Sequence, residues 1–220
     1  MKRINYTLLF LCLITSPYTA SAHDLPEPSF TLGTMLTTDK GLDALSGTDV
    51  TINDNDIVAN LTVDYYISPS LAFEVGVISG GKASASLPTG DSGSLHGKSY
   101  SASGALTITA ETNTIYLFGV KYGPPSSSAL SIYGKAGMLF WDVDYIVSGS
   151  GTLTYDGTAY YSKTFLQVDG SDPFIGLGMS YAINKNTSLA FDYISPASTN
   201  AINGVTFDVS GFSVSWLHNF

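Results

Sequence analysis

A serine nucleophile needs a histidine held beside it as base, and the 220-residue chain offers three candidates, His23, His96 and His218. Their spacing does not suit the task. No His-x-Ser pair occurs, His96 lies in a Gly/Ser-rich stretch, and on an extended strand Ser213 and Ser215 project from the face opposite His218. Asp49, Asp54 and Asp56 offer the hard oxygens that Ca²⁺ prefers, but they are expected to be solvated loop acids. Gly176 and Gly178 resemble a phosphate-binding fragment only in spacing, because their flanks read as a strand. What remains is a set of five charges within apolar stretches: Asp64, Glu74, Lys121, Lys135 and Asp192. No catalytic residue, metal ligand or cofactor site is assigned.

The elements that position those charges begin with an export signal. Met1-Lys2-Arg3 is cationic, Leu8 to Ile14 is apolar, and Ala20-Ser21-Ala22 is a small-x-small cleavage site. Residues 1–22 are expected to be removed, with Ala20 and Ala22 at the cut, leaving a barrel domain over 23–220. Cys12 lacks the small residues of a lipoprotein site, so neither a lipid anchor nor a helical anchor is expected. The remaining 198 residues carry seven lysines, no arginine, no cysteine and all 18 acids, a formal charge of −11. Such a surface repels phosphate, which excludes nucleic acid as a partner. The absence of cysteine removes disulfides and zinc–thiolate sites. Charged residues make up only 12 % of the chain, about half the share usual in soluble domains.

Hydrophobicity after the signal has period two. Ile57, Ala59, Leu61, Val63 and Tyr65 alternate with more polar neighbours, as do Leu71, Phe73, Val75 and Val77, and Tyr116, Phe118, Val120 and Tyr122. Tight turns fall at 67–70, 123–128 and 184–187, and long polar connections at about 39–55, 80–112, 148–171 and 196–203. Three short and four long connections join eight strands, predicted near 29–38, 56–66, 71–79, 113–122, 130–145, 173–183, 188–195 and 205–220. Short and long connections alternate strictly, so all short turns and both termini share one end.

Charge placement then distinguishes two kinds of closed sheet. A soluble barrel hides its apolar face, whereas an outer-membrane barrel turns it outward and keeps a polar lumen, short periplasmic turns and longer external loops. Here Asp64, Glu74, Lys121, Lys135 and Asp192 all sit opposite the more continuous apolar row. Tyr65, Tyr122, Tyr181, Trp216 and Phe220 lie on the outward face near the short-turn end, the arrangement of an interfacial aromatic belt. Because an unpaired amide in hydrocarbon finds no water, the last strand must pair with the first. The predicted fold is all-β: an eight-stranded antiparallel up-and-down transmembrane β-barrel with three short periplasmic turns and four longer external loops.

The segments YLFGVKYG at 116–123, IYGKAG at 132–137, FIGLGMSY at 174–181, LAFDYI at 189–194 and the terminal WLHNF resemble the OmpA-type eight-stranded outer-membrane β-barrel family. His218 departs from the aromatic or aliphatic residue that the family carries two places before its end. The resemblance covers the barrel only, with no periplasmic peptidoglycan-binding domain after Phe220. It implies location in the outer membrane of a Gram-negative bacterium and contact with lipid and lipopolysaccharide. It further implies handling by periplasmic chaperones and the barrel-assembly machinery, and a monomeric state. It also implies that Glu74, Lys121, Lys135 and Asp192, joined by Asp64, form a lumenal charge network. Eight strands leave an interior about filled by side chains, so the expected role is a structural or adhesion-like one, with external loops contacting surface ligands. A narrow solute pore gated by those ion pairs is the alternative, and a lipid-modifying enzyme a distant third.

Overall fold

The computed structural model describes residues 28–39, 42, 51–124, 129–197 and 209–219. The expected signal segment with Ala20 and Ala22, as well as His23 and Phe220, lies outside the described residues. Fifteen strands are present among those described: β1 (Ser29–Asp39), β2 (Thr51–Asn53), β3 (Asn55–Ser68), β4 (Leu71–Ile78), β5 (Lys82–Leu87), β6 (Ser92–Leu95), β7 (Lys98–Ser103), β8 (Leu106–Thr112), β9 (Ile115–Tyr122), β10 (Leu130–Gly149), β11 (Thr152–Tyr155), β12 (Thr158–Tyr160), β13 (Lys163–Ala182), β14 (Thr187–Pro196) and β15 (Val209–Asn219).

Eight of them close on themselves. The antiparallel ladder runs β1–β3–β4–β9–β10–β13–β14–β15, and β15 returns to β1 from Ser29↔Asn219 to Asp39↔Val209. That last pairing removes the sheet edge that a membrane would not tolerate. Burial alternates along each stave. On β4, Ala72, Glu74, Gly76 and Ile78 face inward and are buried, while Phe73 faces out and is half exposed. Leu32, Ile132, Ile175, Leu177, Phe212 and Val214 are similarly exposed, an outward apolar band that water would penalise and lipid accepts.

Above the band the cylinder becomes asymmetric. The long connection at 80–112 folds into β5 to β8, and β5 and β8 continue the barrel sheet, β8 pairing with β10 from Thr112↔Val143 to Leu106↔Gly149. The segment read as an irregular connection at 148–171 is instead structured. β13 starts at Lys163, ten residues earlier than the predicted strand, and keeps pace with β10 up to Val147. β6, β7, β11 and β12 form a second, four-stranded sheet. Its two hairpins turn through His96-Gly97 and Asp156-Gly157, all four residues at positive φ, the geometry that matches the twist of two-residue hairpins. The turns are tied together by Lys98, which donates to Asp156 at 2.6 Å.

One apolar core joins this cap to the barrel. It runs from Met35, Ile78, Leu117, Leu139 and Phe174 inside the staves to Tyr145, Leu153, Leu95 and Phe165 in the cap. The upper half of the lumen is therefore largely apolar, with the buried Asp172 among its exceptions, a departure from the uniformly polar interior expected from the barrel type.

Candidate functional site

The lower lumen is built by register. Asp64 stands opposite Glu74, Glu74 opposite Gly119, and Lys121 opposite Lys135, so four charges of the same two signs sit in adjacent pairs on β3, β4, β9 and β10. Asp192 comes from the far wall on β14. Each like-charge pair is resolved by reaching across to the other. Lys121 donates to Asp64 at 2.8 Å, and Lys135 donates to Glu74 at 2.6 Å. Lys135 Nζ also lies 2.9 Å from Asp192 Oδ1, at ion-pair distance but without hydrogen-bond alignment. Asp64 and Glu74 are each only 1 % exposed, so these contacts carry charges that would otherwise cost several kcal/mol apiece to bury.

Neutral groups complete the tier. Ser29 Oγ donates to Asp64 at 3.3 Å, and Asn60 Nδ2 reaches Ser215 Oγ at 3.5 Å. The Lys121 ammonium lies 4.2 Å from the Tyr133 ring centre, a cation–π contact. Asp64 Oδ1, Glu74 Oε2, Asn60 Oδ1 and Ser213 Oγ have no hydrogen-bond partner among the described protein atoms.

A second tier closes over the first. Phe174 projects inward from β13 across Gly137, its direct register partner, and a β-carbon at Gly137 would come within 2.8 Å of its ring. Tyr133 covers Gly178 and Trp141 covers Gly170 in the same cross-strand manner. A missing side chain on one strand thus makes room for a ring from the next, which fills the axis without moving the staves apart. Trp141 Nε1 also donates to the buried Asp172 at 2.7 Å. Sequence reasoning missed Asp172, Trp141, Tyr133 and Phe174. The aromatic-opposite-glycine pattern was visible in the sequence, but only register shows which ring meets which glycine.

The remaining predicted residues lie elsewhere. Tyr122, Tyr181 and Trp216 are exposed on the outer face, with Tyr181 and Trp216 flanking Leu189 in one register row, and Tyr65 is partly covered beside Phe73. His218 faces outward against Trp216, at 5.5 Å between ring centres, while Ser213 and Ser215 face the lumen. His96 is buried in its hairpin turn against Tyr145. Asp54 and Asp56 stay near the rim, where Asp56 accepts from the Lys82 amide. Among the described residues no cluster of three metal-ligating side chains forms.

The ring of eight staves is closed, apolar outside and charged within, and the family model described as "outer membrane protein beta-barrel domain" matches residues 7–217. The chain belongs to this outer-membrane β-barrel family. As an outer-membrane barrel of the OmpA-like type it resides in the outer membrane of Gram-negative bacteria. Solved outer-membrane barrels align with it at low identity. OprG of Pseudomonas aeruginosa superposes with a TM-score of 0.52 at 15 % identity, covering 90 % of this chain and 97 % of that one. Ail of Yersinia pestis, determined in complex with the heparin analogue sucrose octasulfate, gives 0.46 at 12 % identity, with 89 % and 99 % covered. The N-terminal barrel of P. aeruginosa OprF gives 0.42 at 11 %, with 90 % and 100 % covered. No curated protein matches in sequence.

Proposed function

We propose that this outer-membrane barrel is a sealed scaffold that presents its external β-cap for surface contacts. One observation carries the reading: the apolar core is continuous from mid-lumen into the cap, directly above a layer of ion pairs. Water crossing the barrel would have to part both tiers. The cap is also a built structure with alternating faces, Ala83, Ala85, Tyr100, Ala102, Ile108 and Leu153 inward and Ser86, Ser99, Ser101 and Ser103 outward, and rigidly held extensions are where recognition commonly resides. Among the described residues of the cap Lys82 pairs with Glu111 at 3.0 Å, Lys98 pairs with Asp156, and Lys163 at its base lies over the Tyr160 ring. With so few uncompensated cations the cap favours weakly charged partners over polyanions.

In the same reading residues 1–22 are the export signal, cut after Ala22, and Tyr65, Tyr122, Tyr181 and Trp216 anchor the periplasmic interface. No catalytic role is assigned. A narrow pore is the second reading, favoured by the unpartnered oxygens of Asp64 and Glu74, which water would satisfy. The test is adhesion of vesicles carrying the intact chain, or a chain lacking 86–108, to epithelial monolayers and to one another. Loss of adhesion in the deletion, with the barrel still heat-modifiable on a gel, supports the scaffold reading; equal adhesion removes it.

A further inference from the structure

At the external end of the staves lies a small cavity of about 10 Å³, whose polar lining comes from Thr37, Asp54, Asp56, Ser79, Lys82 and Thr112. It has room for a single body the size of a water molecule. Register builds it. Thr37 on β1 stands directly opposite Asp56 on β3, and Asp56 shares the inward face of the buried Val58 and Asn60. Thr112 ends β8 and continues the buried row of Ile108 and Ala110. The cavity therefore sits where staves β1 and β3 meet the cap strands β5 and β8.

Asp56 is not a freely solvated loop acid. Its Oδ1 accepts from the Ile57 amide at 2.8 Å and its Oδ2 from the Lys82 amide at 2.9 Å, which fixes the carboxylate and leaves each oxygen a further lone pair. Asp54 Oδ1 accepts from Asn55 Nδ2 at 2.8 Å. The ammonium in the lining is spent elsewhere, Lys82 Nζ lying 3.0 Å from Glu111, and among the described residues neither aspartate has an ion pair. A second observation is independent of these acids. Thr112 is only 5 % exposed, and its Oγ1 has no hydrogen-bond partner among the described protein atoms. A buried hydroxyl is costly to leave so, and the cavity is the space beside it.

We propose that this cavity binds one calcium ion, with Asp54 and Asp56 as its charged ligands and Thr112 Oγ1 as a neutral one. The uncommitted polar groups of the lining are all oxygens, which disfavours zinc and copper. Two carboxylates balance a divalent charge. Thr37 Oγ1, which donates its proton to the Asp56 carbonyl at 3.2 Å, keeps its lone pairs for the same ion. Magnesium demands a near-regular octahedron and retains several waters, for which the cavity has no room, whereas calcium accepts an irregular oxygen set completed by water from the open side. An ion held there joins β3 to β8 and braces the cap on the barrel. The site stands whether or not the cap makes surface contacts.

The experiment is equilibrium dialysis of radioactive calcium against the full chain, refolded in detergent free of lipopolysaccharide, whose phosphates also hold cations. Expected is saturable uptake of one ion per chain with a dissociation constant of about 0.1–1 mM, the range of extracellular sites, and competition by magnesium about ten-fold weaker or less. Asp56→Asn should weaken binding about ten-fold and Thr112→Val about three-fold, through the loss of one charged and one neutral ligand. Asp144→Asn, on the outer face of β10, should bind as the wild type does, and a heat-dependent gel shift confirms that each variant is folded. Should Asp56→Asn not fold, Thr112→Val decides alone. No saturable uptake up to about 10 mM, well above that range, would mean that water alone fills the cavity. That result, equal binding by all variants (an adventitious ion only), or a preference for magnesium would each overturn the proposal.

Discussion

Lys121 and Lys135 stand directly opposite each other on β9 and β10, a like-charge pair that an isolated sheet would reject. They coexist because their ammonium groups part, one toward Asp64 on β3 and the other between Glu74 on β4 and Asp192 on β14. Lys135 thereby joins strands on both sides of β10, and Lys121 reaches only one way, across β4 to β3.

Removing Lys135 should therefore cost more than removing Lys121. Lys135→Met leaves two buried carboxylates facing each other without a cation, a loss of about 3–5 kcal/mol. Urea unfolding in lipid vesicles, read by gel mobility, should show a lower midpoint for Lys135→Met than for Lys121→Met. The triple variant Lys135→Met, Glu74→Gln, Asp192→Asn should recover at least half of the loss, because no bare charge remains. Equal midpoints for all four proteins would contradict the network.

Tyr133 and Gly178 offer a test of the ring-over-glycine packing beside the charges. A methyl group at position 178 would strike the Tyr133 ring and crowd Asp192 Oδ1. Gly178→Ala should destabilise the barrel by about 1–3 kcal/mol, and the same change in a Tyr133→Leu background should cost markedly less. The double-mutant coupling should reach about 1 kcal/mol or more; additive effects would mean that the ring does not occupy the glycine's space.

Alkaline pH should act on the cap through Tyr100. Burial, aided by the hydrogen bond to Asp91 at 2.8 Å, pushes the Tyr100 hydroxyl above its ordinary range. Its folded-state value exceeds its unfolded one, so its contribution to stability is complete below about pH 10 and is lost as pH climbs beyond. The difference between the ultraviolet titrations of wild type and Tyr100→Phe should show ionisation delayed past that of free tyrosine. A transition at the free-tyrosine position would refute the buried contact.

Much of this was legible from sequence for a definite reason. Where a stave has lipid on one side and polar groups on the other, as at Phe73 and Glu74 or Val120 and Lys121, the contrast between successive residues is large and period two stands out. The signal fades where both faces are apolar. Ile115 to Phe118 and Leu139 to Trp141 are greasy on both sides, because the upper lumen is largely apolar, and alternation cannot reveal an inward Leu139 or Phe174. It fades differently in the cap, where Ala83 and Ala85 alternate with Ser84 and Ser86. The side chains are small, the contrast is weak, and the stretch reads as a connection. Likewise β13 begins among Lys163, Thr164 and Gln167, polar residues whose strand character comes from pairing with β10. The lumenal pairings needed register as well: sequence placed five charges on one face, but only the staggered ring brings Asp192 to Lys135.

Ionic conductance across planar bilayers tests the sealed lumen most directly. The wild type, inserted as a folded barrel, should show no stable current steps, and Glu74→Ala or Lys135→Ala alone should add none, since Phe174 and the core above it still block the axis. A combined Lys135→Ala, Phe174→Ala variant should open small steps. Steady conductance in the wild type, not increased by the joint loss of Lys135 and Phe174, would contradict the sealed scaffold and return the barrel to the class of pores.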